Sequence, residues 1–405
     1  MISLHPYQPV FRDCPHCGEN DLQSEGFLFS GIHVMHTFSC GACNGKWMET
    51  MPIGHTIDFD LQVDSSTYEV IKPSADYNWL ETQLEESLKS GNVEKLTFER
   101  SKIHDVKKAV IINCLDNCFG HVFTKLWNAC IEYDGYAIIV LIPKQCRWLV
   151  PGLVAEVWTV DIPVSSIQPV MPGLHEEIKK AISDFEEVVL HPAYVHLDHL
   201  KVPLQKLVKI PRFDLKEFSN RSPRIGFVLR EDRFWLDSDM LEKAYLACRK
   251  FKVLGRFRFV FLWRQKLLVE RFYKIISKEI PDVEMYVSGL GNTGKFIPEI
   301  EDLRVDDIHS ESEIERNSIY GKTHLILGIH GSHLLVPSAL AAGYVNINPR
   351  YKTAHWIEDT VLPYKNRMQQ FLGRKLDQKT SPALLAHHVI RILSDFPYVY
   401  RRLNE

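Results

Sequence analysis

The second half of the chain alternates between short apolar runs and longer amphipathic segments. Amphipathic segments at residues 239–251, 266–280 and 333–342 predict helices, because their apolar positions recur at helical spacing. Apolar runs predict strands around these helices, at residues 223–229, 257–263, 283–287, 324–327 and 344–347. Strands that alternate with helices are typical of an α/β domain built on a parallel sheet.

The first half carries a similar but less regular pattern. Residues 107–113 and 137–142 read as buried strands on either side of a helix at residues 122–133, and further strands or short helices follow at residues 148–160 and 186–190. A polar, proline-bearing connection at residues 202–223 separates the halves. The sequence therefore predicts an α/β fold with two Rossmann-like domains, preceded by a small N-terminal subdomain. The predicted boundaries are residues 1–60, 61–215, 216–380 and a C-terminal helix, 381–405, that packs back on the N-terminal half.

The N-terminal subdomain is predicted from two cysteine pairs with metal-ligand spacing. Cys14 and Cys17 form one C-x-x-C pair, and Cys40 and Cys43 form the other, 22 residues later. Each pair sits on a tight turn, so four thiolates can point at one tetrahedral ion. The alternating residues between the pairs indicate a hairpin, and the whole is similar to a zinc ribbon. Because the protein would supply all four ligands, the predicted zinc is structural; a redox dithiol is the alternative.

The stretch from residue 323 to residue 349 predicts a strand, a turn, a helix and a second strand. The turn, Gly328-Ile329-His330-Gly331-Ser332, places Gly331 and Ser332 at a helix N-terminus. Unpaired N–H groups and the positive end of the helix dipole favour an anion there. An ordinary turn glycine and capping serine would explain the same residues. The polar ring of His330 beside two small residues favours the anion site.

Two arginines follow the strand at residues 223–229. Arg230 and Arg233 lie in the loop that this strand feeds, where their guanidinium groups could hold a diphosphate through paired hydrogen bonds. Glu231 and Asp232 lie between them and could instead neutralise them on the surface.

Polar residues also follow the strand at residues 107–113. Asp116, Asn117 and His121 lie where an open α/β sheet places its ligand crevice. His121 could act as a general base at neutral pH, or it could simply cap the helix. Asp116 could orient that imidazole or serve as the base itself.

A glycine-rich segment, Gly289 to Lys295, has the G-x-x-x-x-G-K spacing of a P-loop. Phe296 occupies the position of the magnesium-binding Ser or Thr, and Pro298 interrupts the helix that should follow. We therefore expect no true P-loop, although the loop could still bring Lys295 to a nucleotide phosphate.

Composition narrows the class of protein. The chain has 405 residues, 45% of them hydrophobic, and a formal net charge of −3, which indicates a soluble globular protein and no general nucleic-acid binder. No apolar run is long enough to span a membrane, and the N-terminus lacks the features of a secretory signal. Nine cysteines with paired spacing fit a reducing compartment. We expect a cytoplasmic protein.

Two of these motifs, in their chain order, resemble those of a known enzyme family. Asn117-Cys118-Phe119-Gly120-His121 resembles the asparagine-x-x-glycine-histidine motif of family 61 glycosyltransferases, and the turn at His330 is similar to their H-G-[AS] turn. Two Rossmann-like halves with a returning C-terminal helix resemble the GT-B architecture. The likeness covers roughly residues 105–365.

The resemblance implies an inverting transferase that needs no catalytic metal. The donor would be a nucleotide sugar such as a UDP- or GDP-sugar, and the acceptor a hydroxyl group of a glycan. Arg230, Arg233, Lys295, His330, Gly331 and Ser332 would form the donor site, and His121 or Asp116 would be the base. The added zinc ribbon and the missing membrane anchor depart from the family, and suggest a bacterial cytoplasmic setting such as surface-polysaccharide assembly.

Three observations bear on alternatives. Two D-x-D triplets occur, Asp58-Phe59-Asp60 and Asp237-Ser238-Asp239, but neither directly follows a buried strand, where a metal-bridged diphosphate would be expected. The ribbon could bind nucleic acid or a protein partner, yet Arg12 and Lys46 are its only permanent cations. The glycine-rich loop leaves a P-loop-like nucleotide hydrolase or kinase as a further alternative.

Overall fold

A computed structural model describes residues 6–8, 13–51, 61–72, 78–90, 96–195, 197–352 and 358–404. The chain divides into two compact units, Met1–Leu207 and Val208–Glu405. This division falls a few residues before the boundary predicted at residues 215 and 216. Each unit contains a parallel sheet, and the first unit also contains an antiparallel sheet.

The antiparallel sheet contains the cysteine motif. Its five strands pair in chain order: β1 (Leu22–Phe29), β2 (Val34–Cys40), β3 (Lys46–Thr50), β4 (Gln62–Asp64) and β5 (Val70–Lys72). The predicted hairpin between the cysteine pairs is β1 and β2. The sheet continues past the predicted end of the ribbon at residue 60, because β4 pairs with β3 and thereby extends the buried face that the hairpin begins. Helix α1 (Asn78–Ser90) follows.

The parallel sheet of the first unit has the order β10-β7-β8-β9-β6. Its strands are β6 (Phe98–Lys102), β7 (Lys108–Asn113), β8 (Ala137–Pro143), β9 (Val154–Val160) and β10 (Glu187–His191). Only the edge strand β6 runs antiparallel to its neighbour. The helices are α2 (Phe119–Leu126), α3 (Leu174–Ile182) and α4 (Gln205–Val208), with 3-10 turns at Asn128–Cys130, Lys144–Leu149 and Val164–Ser166. A further 3-10 turn, Leu215–Glu217, lies at the start of the second unit. The apolar runs of β7 and β8 arise because both faces of these strands are buried, and β9 is equally buried although it contains Glu156 and Thr159.

The antiparallel sheet packs directly on this parallel sheet. Phe29, Ile32 and Val34, at the turn between β1 and β2, share a hydrophobic core with Ile111 and Leu141. Asn113, the last residue of β7, donates from its side-chain amide to the Gly31 carbonyl oxygen at 2.9 Å. The cysteine-bearing sheet is therefore part of the first α/β unit and is not an appended module.

The second unit contains a six-stranded sheet in which every pair is parallel. Its strands are β11 (Arg224–Arg230), β12 (Glu284–Leu290), β13 (Ile300–Val305), β14 (Leu325–Ile329), β15 (Gly343–Asn348) and β16 (Gly373–Asp377). Its helices are α5 (Asp239–Lys250), α6 (Leu254–Glu279), α7 (Ser310–Tyr320), α8 (Leu335–Leu340), α9 (Met368–Leu372) and α10 (Pro382–Asn404), with a 3-10 turn at Ser332–Leu334. The order β13-β12-β11-β14-β15-β16 is the 3-2-1-4-5-6 order of a Rossmann fold.

Two predicted elements of this unit differ from the structure. Residues 257–263, expected as a strand, lie in the long helix α6. The helix is more stable than a strand here because it buries an apolar stripe that includes Phe261, Leu268 and Phe272. The helix expected at residues 333–342 is only a 3-10 turn followed by the short α8, because Pro337 has no N–H to bond the carbonyl four residues earlier.

The C-terminal helix also differs from its prediction. Leu385, Val389, Ile392 and Phe396 form the buried stripe of α10, and they lie in the core of the second unit together with Phe272 of α6. The helix was expected to pack on the N-terminal half. Its apolar stripe is instead covered by the sheet domain that directly precedes it in the chain.

Together these features confirm the predicted α/β fold class, with a Rossmann-like sheet in each of the two units and a small N-terminal cysteine-bearing sheet. Among the described residues, no helix is both long enough and apolar enough to cross a membrane.

Candidate functional site

The four ribbon cysteines converge on one point. The Sγ atoms of Cys14, Cys17, Cys40 and Cys43 all lie within 4.8 Å of one another, and all four thiols are free of disulfides. Cys14 and Cys43 are separated by 3.7 Å between sulfur atoms, as are Cys17 and Cys40. A tetrahedron with Zn–S bonds of about 2.3 Å has S–S edges of about 3.8 Å. The four thiols therefore fit a metal ion such as zinc.

Local backbone geometry supports this arrangement. Gly18 and Asn44 both have a positive φ, +80° and +59°, so the chain turns sharply after each cysteine pair. Backbone N–H groups of His16 and Gly45 lie 3.4 Å from the sulfur atoms of Cys14 and Cys43. N–H groups aimed at a sulfur atom stabilise its thiolate form, which is the form that binds metal.

The described part of the ribbon gives little support to the nucleic-acid alternative. Lys46 pairs with Glu25 at 3.2 Å, and Arg12 lies outside the described residues. Lys46, the one of these two cations that lies among the described residues, is therefore already neutralised.

In the first unit, polar residues gather where the strand order reverses. Strands β8 and β9 extend the sheet to one side of β7, and β10 lies on the other, so ligands are expected at the carboxyl ends of β7 and β10. Asp116 follows β7, and His121 lies in the first turn of α2, which begins three residues earlier than predicted. The His121 Nδ1 atom lies 3.1 Å from Asp116 Oδ1. The structure thus pairs the two candidate bases.

A buried lysine completes this group. Lys125 Nζ lies 3.1 Å from Asp116 Oδ2 and donates to the Leu115 carbonyl oxygen at 2.9 Å. The Lys125 side chain is 2% exposed. Asp116 also accepts from the Cys118 N–H at 3.0 Å. Sequence reasoning missed Lys125, although its position between the buried Val122 and Leu126 on a short apolar helix was a signal.

Electrostatics give these residues different roles. Burial alone would raise the pKa of Asp116, but the Lys125 ammonium and His121 hold it well below its usual range. Burial alone would lower the pKa of His121, but the hydrogen bond and charge of Asp116 raise it above 6.5. An ionised Asp116 can only accept, so His121 carries its proton on Nδ1. In the neutral ring the lone pair then lies on Nε2, the atom that a general base would use.

The ribbon turn closes the space beside this group. A cavity of about 20 Å³ lies at the carboxyl ends of β7 and β10, lined by Asn113, Lys125, His191 and Pro192 together with Ile32, Val34 and Met51. That volume holds about one water molecule. His33, from the same turn, is buried, and its burial beside Lys125 lowers its pKa to about 3.

In the second unit, the strand order reverses between β11 and β14, and both strands end in predicted donor residues. Arg230 ends β11 and forms two hydrogen bonds to Asp232, at 2.7 and 2.9 Å. Arg233 Nη1 lies 3.1 Å from His330 Nδ1 and 3.3 Å from the His330 carbonyl oxygen. The structure therefore brings Arg233 and the histidine-glycine-serine turn together at the switch point, where Rossmann sheets bind ligands.

The turn itself differs from its prediction. Gly331 has φ +132°, and a Cβ atom at this position would lie 2.8 Å from the guanidinium carbon of Arg233. The Gly331 N–H donates to the buried carboxylate of Asp359. This amide is therefore not exposed to a ligand, and glycine is required here because Arg233 occupies the space of a side chain. Ser332 follows, half-buried, as the first residue of the 3-10 turn.

Both histidines of the turn are neutral. Burial, helped by Arg233 and Lys352, lowers the pKa of His330 to about 3. Because an arginine can only donate, Nδ1 of His330 accepts and its proton lies on Nε2. Burial and the nearby arginines also hold the pKa of His333 far below 6.5, and both of its ring nitrogens are buried without a hydrogen-bond partner. The positive charge at this turn therefore comes from the arginines.

An open cleft of about 390 Å³ extends from Arg230 along the same edge of the sheet. Its walls follow β11, β12 and β13: Arg230, Glu231, Asp232, Arg258, Leu290, Gly291, Asn292, Thr293 and Asp306. Glu231 links the loop after β12 to helix α6 across the cleft, since it accepts from the Thr293 N–H at 2.7 Å and pairs with Arg258 at 2.7 Å. The lining is mainly polar, which suits a hydrophilic ligand. Glu231 and Arg258 were not predicted as site residues.

The glycine-rich segment does not have the geometry of a P-loop. Strand β12 leads through this loop into strand β13, whereas a P-loop leads into a helix. Arg304 donates to the carbonyl oxygens of Thr293 and Gly294, which holds the loop against β13. Lys295 is exposed on this loop and does not line the cleft. These features remove the support for a P-loop hydrolase or kinase.

In the D-x-D triplet at residues 237–239, all three side chains already make contacts within the protein. Asp237 binds Arg264 at 2.6 Å, Ser238 caps α5, and Asp239 pairs with Lys379. The other triplet, at residues 58–60, lies outside the described residues.

The fold and the site together define an α/β protein with two Rossmann-like domains, the second of which has arginines at its switch point. No protein-family model matches the sequence. No curated protein matches it either. A solved structure that is similar to the chain is that of E. coli ADP-heptose LPS heptosyltransferase II, with 11% sequence identity and a TM-score of 0.39. The match covers 71% of this chain and 99% of that one. Values this low do not transfer a function.

Proposed function

We propose that the protein is an inverting glycosyltransferase, which moves a sugar from a nucleotide-sugar donor to a hydroxyl group of a glycan or related acceptor. One observation carries the proposal. Arg230, Arg233 and His330 gather at the switch point of a 3-2-1-4-5-6 parallel sheet, beside a polar cleft of about 390 Å³. Such sheets bind nucleotides at this point, and a cleft of this volume can hold a small ligand.

The donor diphosphate would be bound by side chains. Guanidinium groups form paired, charge-assisted hydrogen bonds to phosphate, so a diphosphate would replace Asp232 on Arg230 and bind Arg233 as well. The Nε2–H of His330 would add a neutral donor. Gly331 serves this site by leaving room for Arg233, and the contributions of Lys295 and Ser332 stay predictions.

Departure of the nucleotide requires neutralisation of its negative charge. Fixed cations close to the leaving group stabilise the transition state in which that charge develops. Three acidic side chains near this point keep their own partners when the donor binds: Asp359 accepts from the Gly331 N–H, Glu231 pairs with Arg258, and Asp306 accepts from the Asn292 side chain. We therefore propose that arginines, and no catalytic metal ion, neutralise the departing diphosphate.

The acceptor hydroxyl would lose its proton to His121. Asp116 is 5% exposed and already accepts bonds from Lys125, His121 and the Cys118 N–H, which suits an orienting role. His121 is partly exposed, and in its neutral form Nε2 is the ring atom that would accept the proton of the acceptor hydroxyl. In this proposal Asp116 holds the ring and Lys125 keeps Asp116 ionised. The acceptor is a glycan, and the resemblance to family 61 transferases suggests polysaccharide assembly.

A thermal-shift panel of UDP-, GDP-, CMP- and ADP-sugars tests the donor site. A ligand at about 100 times its Kd stabilises the folded state by about 2.7 kcal/mol, which raises Tm by roughly 5–10 °C in a domain of this size. We expect one nucleotide class to stabilise the wild type and to fail with Arg230→Ala. Arg391→Ala is the matched control, because Arg391 is 60% exposed on α10 and pairs only locally with Asp395. If no sugar nucleotide raises the Tm of the wild type, the proposal loses its donor.

A further inference from the structure

The helical hairpin of the second unit carries an unusual concentration of positive charge. Residues 249–263, here called the hairpin tip, connect the end of α5 to the first half of α6. They contain five cations and no acidic residue, within a chain whose 48 basic residues are outnumbered by 51 acidic ones. Only Arg258 of the five forms an ion pair, with Glu231. Within the described part of the chain, Arg249, Lys250, Lys252 and Arg256 face no carboxylate at ion-pair distance.

Large aromatic side chains project between these cations. Phe251, Phe257, Phe259 and Trp263 are 69%, 48%, 65% and 60% exposed. Phe259 and Trp263 are four residues apart on α6, so they lie on the same face of the helix. Scattered single apolar residues on a surface need no explanation, but several exposed aromatic rings in 15 residues mark an interaction surface.

The hairpin tip lies outside the main core of the unit. In α6, the residues that pack into the sheet core are Leu268, Val269, Phe272 and Ile276, all in the second half of the helix. The first half packs on α5 through a separate small cluster around Phe261 and Tyr245. The exposed rings therefore lie outside both of these clusters, and packing of the described residues does not account for them.

We propose that the hairpin tip binds the surface of a membrane that contains anionic lipids. Exposed Phe and Trp on a helix with neighbouring Lys and Arg is the pattern of interfacial helices, whose rings enter the headgroup region while the cations meet lipid phosphates. The charge of the tip complements such a surface. It disfavours a second copy of this chain, because a symmetric contact would bring two sets of cations together.

Single-stranded nucleic acid is the alternative ligand for the hairpin tip, because its phosphates bind cations and its bases stack on aromatic rings. Proteins bind it in a positively charged groove that follows the backbone, with bases stacked on rings inside that groove. The rings of the tip are 48–69% exposed, so they project from the surface and do not line a groove. A lipid surface therefore fits better, and nucleic acid becomes an outcome of the test.

Vesicle co-sedimentation with the full chain tests this inference. We expect binding to vesicles of phosphatidylcholine with added phosphatidylglycerol, weaker binding to phosphatidylcholine alone, and release by high salt. The double variant Phe259→Ser, Trp263→Ser should weaken binding by at least about tenfold, since burial of one large ring accounts for about that much. Lys250→Gln with Arg256→Gln should weaken it by roughly 25-fold, at about fivefold per cation.

Matched controls lie in the same unit. Lys274→Gln with Lys278→Gln removes two exposed cations from the other end of α6, and Tyr398→Ser removes a ring that is 59% exposed on α10. Both controls should bind vesicles like the wild type. The inference is overturned if the wild type ignores anionic vesicles, or if tip and control variants bind equally. It is also overturned if the tip variants lose only self-association or only oligonucleotide binding. No sugar donor is present in this assay, so its result is independent of the proposed transfer reaction.

Discussion

Replacement of Lys125 by methionine tests the buried charge group of the first unit most directly. Methionine has a similar length but no charge, so it removes the ammonium group that lies 3.1 Å from Asp116 and leaves the packing volume almost unchanged. Asp116 then stays buried with a negative charge and fewer partners.

The expected loss of stability follows from this burial. Removal of one partner from a buried ion pair costs about 3–5 kcal/mol, because the remaining charge is uncompensated. For a domain of this size, that loss lowers Tm by roughly 6–20 °C. The pKa of Asp116 lies below its unfolded value, so the stability it provides is present above about pH 4 and is lost as the pH falls through the folded pKa. Without Lys125 the folded pKa rises, and acid unfolding should begin at higher pH.

Thermal and acid unfolding followed by circular dichroism would measure both effects. Lys108→Met is the matched control, since Lys108 pairs with Glu187 at 2.7 Å at the other end of β7, with both side chains exposed. Exposed pairs contribute little to stability. The double variant Lys125→Met, Asp116→Asn should recover part of the loss, because it removes the stranded charge. If Lys125→Met is no more destabilising than Lys108→Met, Asp116 is not held by a buried ammonium group in solution.

Three further predictions test the other parts of the site. If His121 is the base, transfer activity should fall as the pH drops through the His121 pKa, which Asp116 raises above 6.5. Asp116→Asn should therefore move this acidic limb of the pH–activity profile to lower pH. An unchanged profile would contradict the pairing of Asp116 with His121. Gly331→Ala should destabilise the second unit by about 1–3 kcal/mol and weaken donor binding, because φ is +132° and Arg233 fills the Cβ position. Gly152→Ala is the control, since a Cβ atom there would have no atom within 4 Å. In unfolding and thermal-shift assays the control should change neither stability nor donor binding. Elemental analysis should find one zinc per chain, and its removal by a chelator should lower the Tm without releasing nucleotide sugar. If a chelator abolishes activity while the zinc stays bound, and manganese restores that activity, the metal-independent mechanism is wrong.

The ribbon connects several of these predictions. Its hairpin turn packs on the carboxyl end of β7, where Asn113 binds Gly31 and His33 lies close to Lys125. The four cysteines lie at the opposite end of the same hairpin, where Leu22 of β1 pairs with Cys40 of β2. A metal ion bound there would therefore anchor the two strands that carry the turn, at the end far from His121.

The sequence alone determined the local features of this protein. Apolar runs predicted most of the central strands, since a strand that is buried on both faces consists mainly of apolar residues. The C-x-x-C pairs predicted the four thiols, because their spacing fixes local turns. The strands before both motifs were predicted correctly, and His330 directly follows β14, whereas His121 lies in the first turn of α2. These features depend on residues close together in the chain.

Only the tertiary structure decided which groups meet. It paired Asp116 with Lys125 and His121, and it directed the Gly331 N–H to Asp359, 28 residues away, while Arg233 covered the turn. It also made one helix of residues 254–279, because the buried stripe of α6 is defined by the sheet and by α5. Such contacts depend on which neighbours each face is packed against, and periodicity along the chain does not contain that information.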